Sequence, residues 1–523
     1  PVFYFPKFFH PDPTVKRQSG FLMPRFESSN TIGTSFHLPY YNVISNNKDF
    51  TVTPRFYKNE KLLVQTEYRS INPETSNFID FSFFTKKSTS GDVESHFFSK
   101  TSRKLNFNNF DESTLNFELQ QASNDTYLKT YKVKSPIIKD TNLLSSFFEV
   151  SAYRDDLSFD TNFQVYENLS VKGSDRYEVI YPSYDVIKNL SNPTDLNGNF
   201  SIYSSGYLKN YNTNVYDRVI INDFIFNSDA LYTDEGFKNN YNILIKNINT
   251  DSDNSTKYKN SQDHKLASIF EYNSSYPLKK TSANFNDILK PKMSLKYSPN
   301  NTKDMRNEDR RIDKNNIFST NRLSAKDTVE GGTSLTYGVE FLKTDKTTEK
   351  DLFSANIANI FRLKEDKNLP RNSKLGNRTS DIVGGLSYSP NDIYKINYDF
   401  SVDNNLSETN YELFNTEFKV NNFITTFEYL NEENTKGKES YLSNKTSYII
   451  DNSKKLEFEV RENKKTKLTE FYNLVYQYTN DCLTAAIEYN KSYYSDRDLQ
   501  PEENIFLKLT IIPFGETSSP NLK

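Results

Sequence analysis

The sequence predicts an all-β protein, a large antiparallel barrel whose strands cross a membrane, and three observations carry that expectation. Apolar residues make up 35% of the 523 positions and the 15 glycines add little, which falls below the roughly 45–50% of soluble domains counted with glycine. Yet 41 Phe and 36 Tyr argue against disorder, because disordered chains are poor in aromatics. Finally, apolar and polar residues alternate in segment after segment, while no window approaches the ~18 uninterrupted apolar residues of a membrane-spanning helix. A strand with lipid on one side and a watery lumen on the other needs only every second residue to be apolar. A chain of this length also exceeds what one soluble core usually holds.

The chain opens on PVFYFPKFFHPDPTVKRQSGFLMPRFESSNTIGTSFHLPYY, a proline- and aromatic-rich lead, the basic pair Lys16-Arg17 and two strand-like segments. Proline cannot donate to a strand ladder. Pro24 and Pro39 inside those segments, and Pro54 within 49–57, therefore read either as bulges at a barrel rim or as weak points in the pairing. A turn centred on Ser28-Ser29 would set Pro24 across from about Gly33, and Pro39 across from about Gln18 or Ser19, at different heights of the first hairpin.

Further along, Tyr394, Ile396, Tyr398, Phe400 and Val402 alternate with Lys395, Asn397, Asp399, Ser401 and Asp403, and Leu456, Phe458 and Val460 alternate with Glu457, Glu459 and Arg461. The first set of each is expected on lipid and the second in the lumen. The last strand is expected over 504–512, with Ile505, Leu507, Leu509 and Ile511 on one face, and Pro513 ends it. At about ten residues per tilted strand and as many per connection, the chain holds on the order of 24–26 strands. The polar stretches 247–265 and 298–316 are expected as external loops, and Gly331-Gly332 and Gly384-Gly385 as bends or bulges. The organisation expected is a junction over 1–16, the barrel over 17–512 and a tail over 513–523. Pro1 is not followed by a charged and then an apolar region, so a processed chain or a fragment is expected.

Several function classes drop out. With 65 basic and 68 acidic residues there is no basic field for nucleic acid. The single cysteine, Cys482, excludes a disulfide framework within this sequence and a multi-cysteine metal site; it is either packed in a strand or paired with a cysteine outside this sequence. His10, His37, His96 and His264 come without G-x-S-x-G, H-E-x-x-H or paired metal spacing. His37 shares a strand face with Ser35, but that spacing is common by chance. Neither an enzyme nor a cofactor is expected.

The order PVFYFP, KRQSGFLMP, LPYYNVISNNKDFTVTP, with Leu289-Lys290-Pro291 before Met293, Leu295, Tyr297 and Pro299, and Asn316-Ile317-Phe318-Ser319 before Asn321-Arg322, Asp327, Glu330, Gly331 and Tyr337, resembles the LptD family of lipopolysaccharide-assembly proteins, also called organic solvent tolerance proteins. The resemblance implies an outer-membrane barrel that inserts lipopolysaccharide into the outer leaflet through a lateral seam between first and last strands. The gate would be carried by Pro24, Pro39, Phe26, Ile505, Leu507 and Leu509. Lys16 and Arg17 become candidates for the substrate path, where phosphates would pass. Cys482 becomes a candidate for a disulfide to a periplasmic N-terminal domain lying outside this sequence. The implied partners are lipopolysaccharide, outer-membrane lipids, an LptE-type lipoprotein plug and a periplasmic bridge protein reached through that domain. A general porin or a receptor-type transporter barrel is the alternative.

Overall fold

The alternation of the sequence becomes the two faces of one wall. Leu289, Met293, Leu295 and Tyr297 are exposed, whereas Ser294 and Lys296 between them are buried. In an antiparallel ladder, directly opposed residues share a face. Met293 meets Tyr337 on the exposed side and Lys296 meets Ser334 on the buried one. The exposed face is apolar and the buried face polar, which is the arrangement of a barrel with lipid outside and a polar interior. No helix among the described residues is long and apolar enough to cross a membrane.

The computed structural model describes residues 17–22, 24–29, 33–58, 62–84, 94–192, 196–434, 437–480, 483–493, 502–511 and 515–518. Among them are 31 strand segments, joined by antiparallel pairings such as those of Leu143–Arg154 with Leu157–Asn168 and of Phe285–Ser298 with Gly332–Asp345. Gly20–Phe21 and Arg25–Ser29 are two parts of the first span, and Gly33–His37 and Tyr40–Ser45 two parts of the second. Leu231–Tyr232, Leu278–Thr281 and Gly515–Ser518 are short additions, which leaves 26 spans, the upper end of the predicted range. The last is Glu502–Ile511.

Connections after even-numbered spans are mostly tight, as between Ser45 and Lys48 or Asp451 and Lys454, whereas 123–142, 299–331 and 363–381 all follow odd-numbered spans. Long loops lie on the external side of such barrels and short turns on the periplasmic side. The first span therefore begins at the turn end of the wall.

Both expected external loops need correction. Most of 247–265 belongs to the strands Lys238–Asp253 and Asp263–Ser275, leaving only 254–262 as a connection. Lys246, Ile248, Thr250 and Ser252 are the buried residues there. A luminal face is itself polar, so composition does not separate it from a loop. The stretch 299–331 does not project outward either. Met305, Ile312, Ile317 and Leu323 are buried in one cluster with Ile360, Leu369 and Leu375. A second cluster joins Tyr127, Leu128 and Tyr131 of the 123–142 loop to Leu63, Phe98 and Leu144 of the wall. Nor are the paired glycines bulges. Gly384 sits in regular register opposite Phe400 and Ile357, where an added Cβ would stand 2.5 Å from the Asn356 carbonyl oxygen and 2.6 Å from the Phe400 ring. At Gly331 it would stand 2.1 Å from the Asn300 carbonyl oxygen. Close approach requires Gly384 and Gly331, whereas Gly332, at φ +81°, is a bend, as the sequence predicts.

Candidate functional site in the first hairpin and the filled lumen

The strand pairing of the first hairpin is broken into two parts at one level. Gly20 and Phe21 pair with Tyr41 and Tyr40, and Arg25 to Ser29 pair with His37 to Gly33. That register sets Pro24 level with Leu38 and Pro39 level with Leu22, whose N–H donates to the Pro39 carbonyl at 2.9 Å. The expected separation in height is thus overturned. Ser28 and Ser29 are themselves paired, with Thr34 and Gly33, so they are strand residues and not the centre of the turn. The third span, Lys48–Tyr57, runs unbroken past the gap and pairs with Tyr40–Ser45 below it and Gly33–His37 above it. Pro54 stands at the gap itself, its carbonyl accepting the Leu38 N–H at 3.1 Å. Three prolines therefore lie in one band across three adjacent spans.

Each side of the break carries its own lipid-face aromatics. Phe26 is exposed and packs on Phe36 at 4.9 Å between ring centroids, Phe36 stacks on Phe56 at 6.4 Å, and Phe21 meets Tyr40 edge-on at 5.0 Å. Arg17, at the turn end, is bound to Asp49 and the Tyr41 hydroxyl and donates to the Asn46 carbonyl at 3.2 Å. Asp49 also holds Arg69 at 2.6 Å. These bonds tie the start of the first span to the second, third and fourth.

On the other side, Glu502–Ile511 pairs with Leu483–Ser492, with Ile505 opposite Tyr489, Leu507 opposite Ile487 and Leu509 opposite Ala485. Over Lys508–Ile511 it also pairs with Gly515–Ser518, whose Cα atoms come within 8 Å of Arg25–Ser29. Among the described residues, no strand pairing joins Glu502–Ile511 to the first span. Lys16 and Cys482 lie outside the described residues.

The 299–331 loop fills the lumen by binding opposite parts of the wall. Lys326 donates to the Tyr203 hydroxyl at 3.1 Å and to Asp185 at 3.4 Å, while Lys314 and Arg311 pair with Asp399 and Glu432. Lys296 of the wall donates to the carbonyls of Ser319 and Thr320 at 2.9 and 2.8 Å. At the centre, Arg322 holds Glu330 at 2.8 Å and bonds Ser334 and Thr336, and Arg362 reaches the same carboxylate. Burial opposes the charge on Glu330, but Arg322, Lys296 and Arg362 outweigh it and keep the carboxyl below its usual range. Asp327 repeats the pattern. Burial works against its ionisation, yet Lys303 at 2.7 Å and Lys257 at 3.2 Å hold its carboxyl well below the ordinary aspartate value.

Ser82, His96 and Asp80 form a chain at 2.6 and 3.1 Å, which spacing in the sequence did not reveal. It is a packing network. All three are buried, Ser82 is shared with the Tyr127 hydroxyl of the luminal loop, and a nucleophile so enclosed meets no substrate. His37 and Ser35 do come together, at 2.9 Å and buried. No cluster of three or more potential metal ligands occurs among the described residues.

A family model described as LPS transport system D, LptD, matches residues 94–459, more than two thirds of the chain. The chain belongs to the LptD family. It is 30% identical over 128 residues to the LPS-assembly protein LptD of Pseudoalteromonas atlantica, 24% of this chain and 16% of that protein. To that of Shewanella oneidensis it is 30% identical over 179 residues, 34% of this chain and 20% of that protein. To that of Legionella pneumophila strain Lens it is 29% identical over 202 residues, 36% and 22%. The matched stretches thus span about a fifth of the length of these curated LptD relatives. The family match begins after the proline band and ends before the last span.

Proposed function

We propose that this LptD-family chain is an outer-membrane barrel that delivers lipopolysaccharide to the outer leaflet of a Gram-negative cell, through a seam between its first and last spans. Family membership supports the cargo. The observation that carries the seam is the band of Pro24, Pro39 and Pro54, which thins the ladder beside the first span. A cargo with sugars that need water and acyl chains that need lipid suits neither a plain pore nor a sealed wall. Sideways release matches both ends, and it needs a wall whose backbone bonds are cheap to part, since each unsatisfied group in hydrocarbon costs several kcal/mol. The aromatic ladder on the lipid face would guide acyl chains while the sugars stay in the lumen. By resemblance, an LptE-type lipoprotein and a periplasmic bridge protein would complete the route. A diffusion porin fits less well, because the 299–331 loop is tied to the wall by the buried pair of Glu330 with Arg362 and by the partly buried pairs of Arg311 with Glu432 and Lys314 with Asp399.

Depleting the protein in its host tests this reading. Newly made lipopolysaccharide should stay out of reach of an enzyme that acts only in the outer leaflet. Undiminished modification after depletion would overturn it.

A further inference from the structure

Register brings three basic side chains together that the sequence keeps far apart. Arg25 pairs with His37, and His37 with Arg55, so they form one rung across three adjacent spans, directly beside the proline band. Their neighbours Phe26, Phe36 and Phe56 form the equivalent rung on the lipid face, which turns Arg25, His37 and Arg55 to the lumen. Arg55 is 5% exposed. It donates to the Tyr131 carbonyl at 3.1 Å and to Gln65. Its Nε has no hydrogen-bond partner among the described residues. Of the carboxylates near Arg55, Asp80 is linked to it through Gln65, which donates to Asp80 at 2.9 Å, and Glu67 is paired with Arg69 at 2.8 Å. The Arg25 side chain, partly exposed, makes no hydrogen bond to a described residue.

Two guanidiniums on one face, about 10 Å apart at the backbone, are costly to set side by side without an anion between them, and their planar forks suit a phosphate. Resting on the lipopolysaccharide-delivery reading above, we infer that Arg25 and Arg55, with His37 between them, form a phosphate-recognition subsite for a phosphorylated glycolipid, at the luminal side of the seam. There the subsite holds the headgroup while the acyl chains meet the aromatic rung on the other face. Arg17, already bound to Asp49 and Tyr41, is less suited to that task.

The test is binding to the full chain in detergent, with three probes: bisphosphorylated lipid A, the same lipid with both phosphates removed, and inorganic phosphate. The unaltered chain should prefer the phosphorylated lipid by about tenfold or more, and inorganic phosphate should compete only weakly. The double variant R25Q/R55Q should lose the preference while still binding the dephosphorylated lipid. R25Q alone, which leaves the buried bonds of Arg55 in place, should lose part of it. If the variants fold and keep the full preference, or if the unaltered chain has none, the subsite is wrong although delivery stands. If inorganic phosphate binds as tightly as the lipid, the rung is a free-anion site and the inference fails. If neither lipid binds the unaltered chain, the delivery reading fails with it.

Discussion

Pro24 and Pro39 interrupt the first hairpin at the same level, with Leu22 donating to the Pro39 carbonyl and Leu38 to that of Pro54. Under the proposed delivery route, missing donors gathered at one level would act as a hinge. Spread along the strand, they would only loosen it.

Replacing each proline by alanine restores one ladder donor, worth about 0.5–1.5 kcal/mol net and more where water is absent. P24A and P39A should each slow delivery of lipopolysaccharide, seen as increased sensitivity to large hydrophobic antibiotics with the barrel still folded. Because the two positions face one gap, the double variant should do less than the sum of the single ones. Strict additivity would show two independent weak points.

Glu330 is the shared partner of Arg322 and Arg362. E330Q strands two buried guanidiniums, a change expected to cost about 3–5 kcal/mol. Limited proteolysis should then cut within 299–331 in the variant and spare it in the parent. Equal resistance would mean that the loop is held by its apolar cluster alone.

Asp327 makes the luminal loop respond to acid in a definite direction. Its carboxyl is depressed in the folded state by Lys303 and Lys257 against the opposing effect of burial, so the stability it contributes is present above the unfolded value of about 3.9 and is lost as pH falls below it. Proteolytic protection of 299–331 should hold from pH 7 to about 4.5 and weaken only under stronger acid. D327N should weaken it already at neutral pH.

Leu456, Phe458 and Val460 should sit in lipid, and Glu457 and Glu459 in the lumen. Spin labels at the five positions should divide into oxygen-accessible and water-accessible sets. A mixed pattern would contradict the register that pairs Leu456 with Tyr448 and Glu457 with Ser447.

What the sequence made legible follows from these registers. Alternation exposed the wall, because a strand fixes its faces residue by residue, as at Met293 to Tyr297; over Tyr394 to Val402 the division is weaker, with Ser401 buried but Lys395 exposed. It could not expose the luminal loop. Met305, Ile312, Ile317 and Leu323 follow no period, and their burial depends on Ile360 and Leu375 arriving from another loop. The proline band was seen residue by residue but not assembled. A turn expected at Ser28-Ser29, which are paired strand residues, displaces each expected partner by several positions. The grouping of Arg25, His37 and Arg55 was not legible for the same reason, since only the pairing of three spans sets them side by side.

The central claim is that the wall opens between the first and last spans. A cysteine pair placed between Arg25–Ser29 and Glu502–Ile511, with Cys482 replaced by serine, tests it most directly. The oxidised, folded barrel should stop delivering lipopolysaccharide to the outer leaflet, and a reductant should restore delivery. A cross-linked barrel that delivers at the normal rate would contradict it.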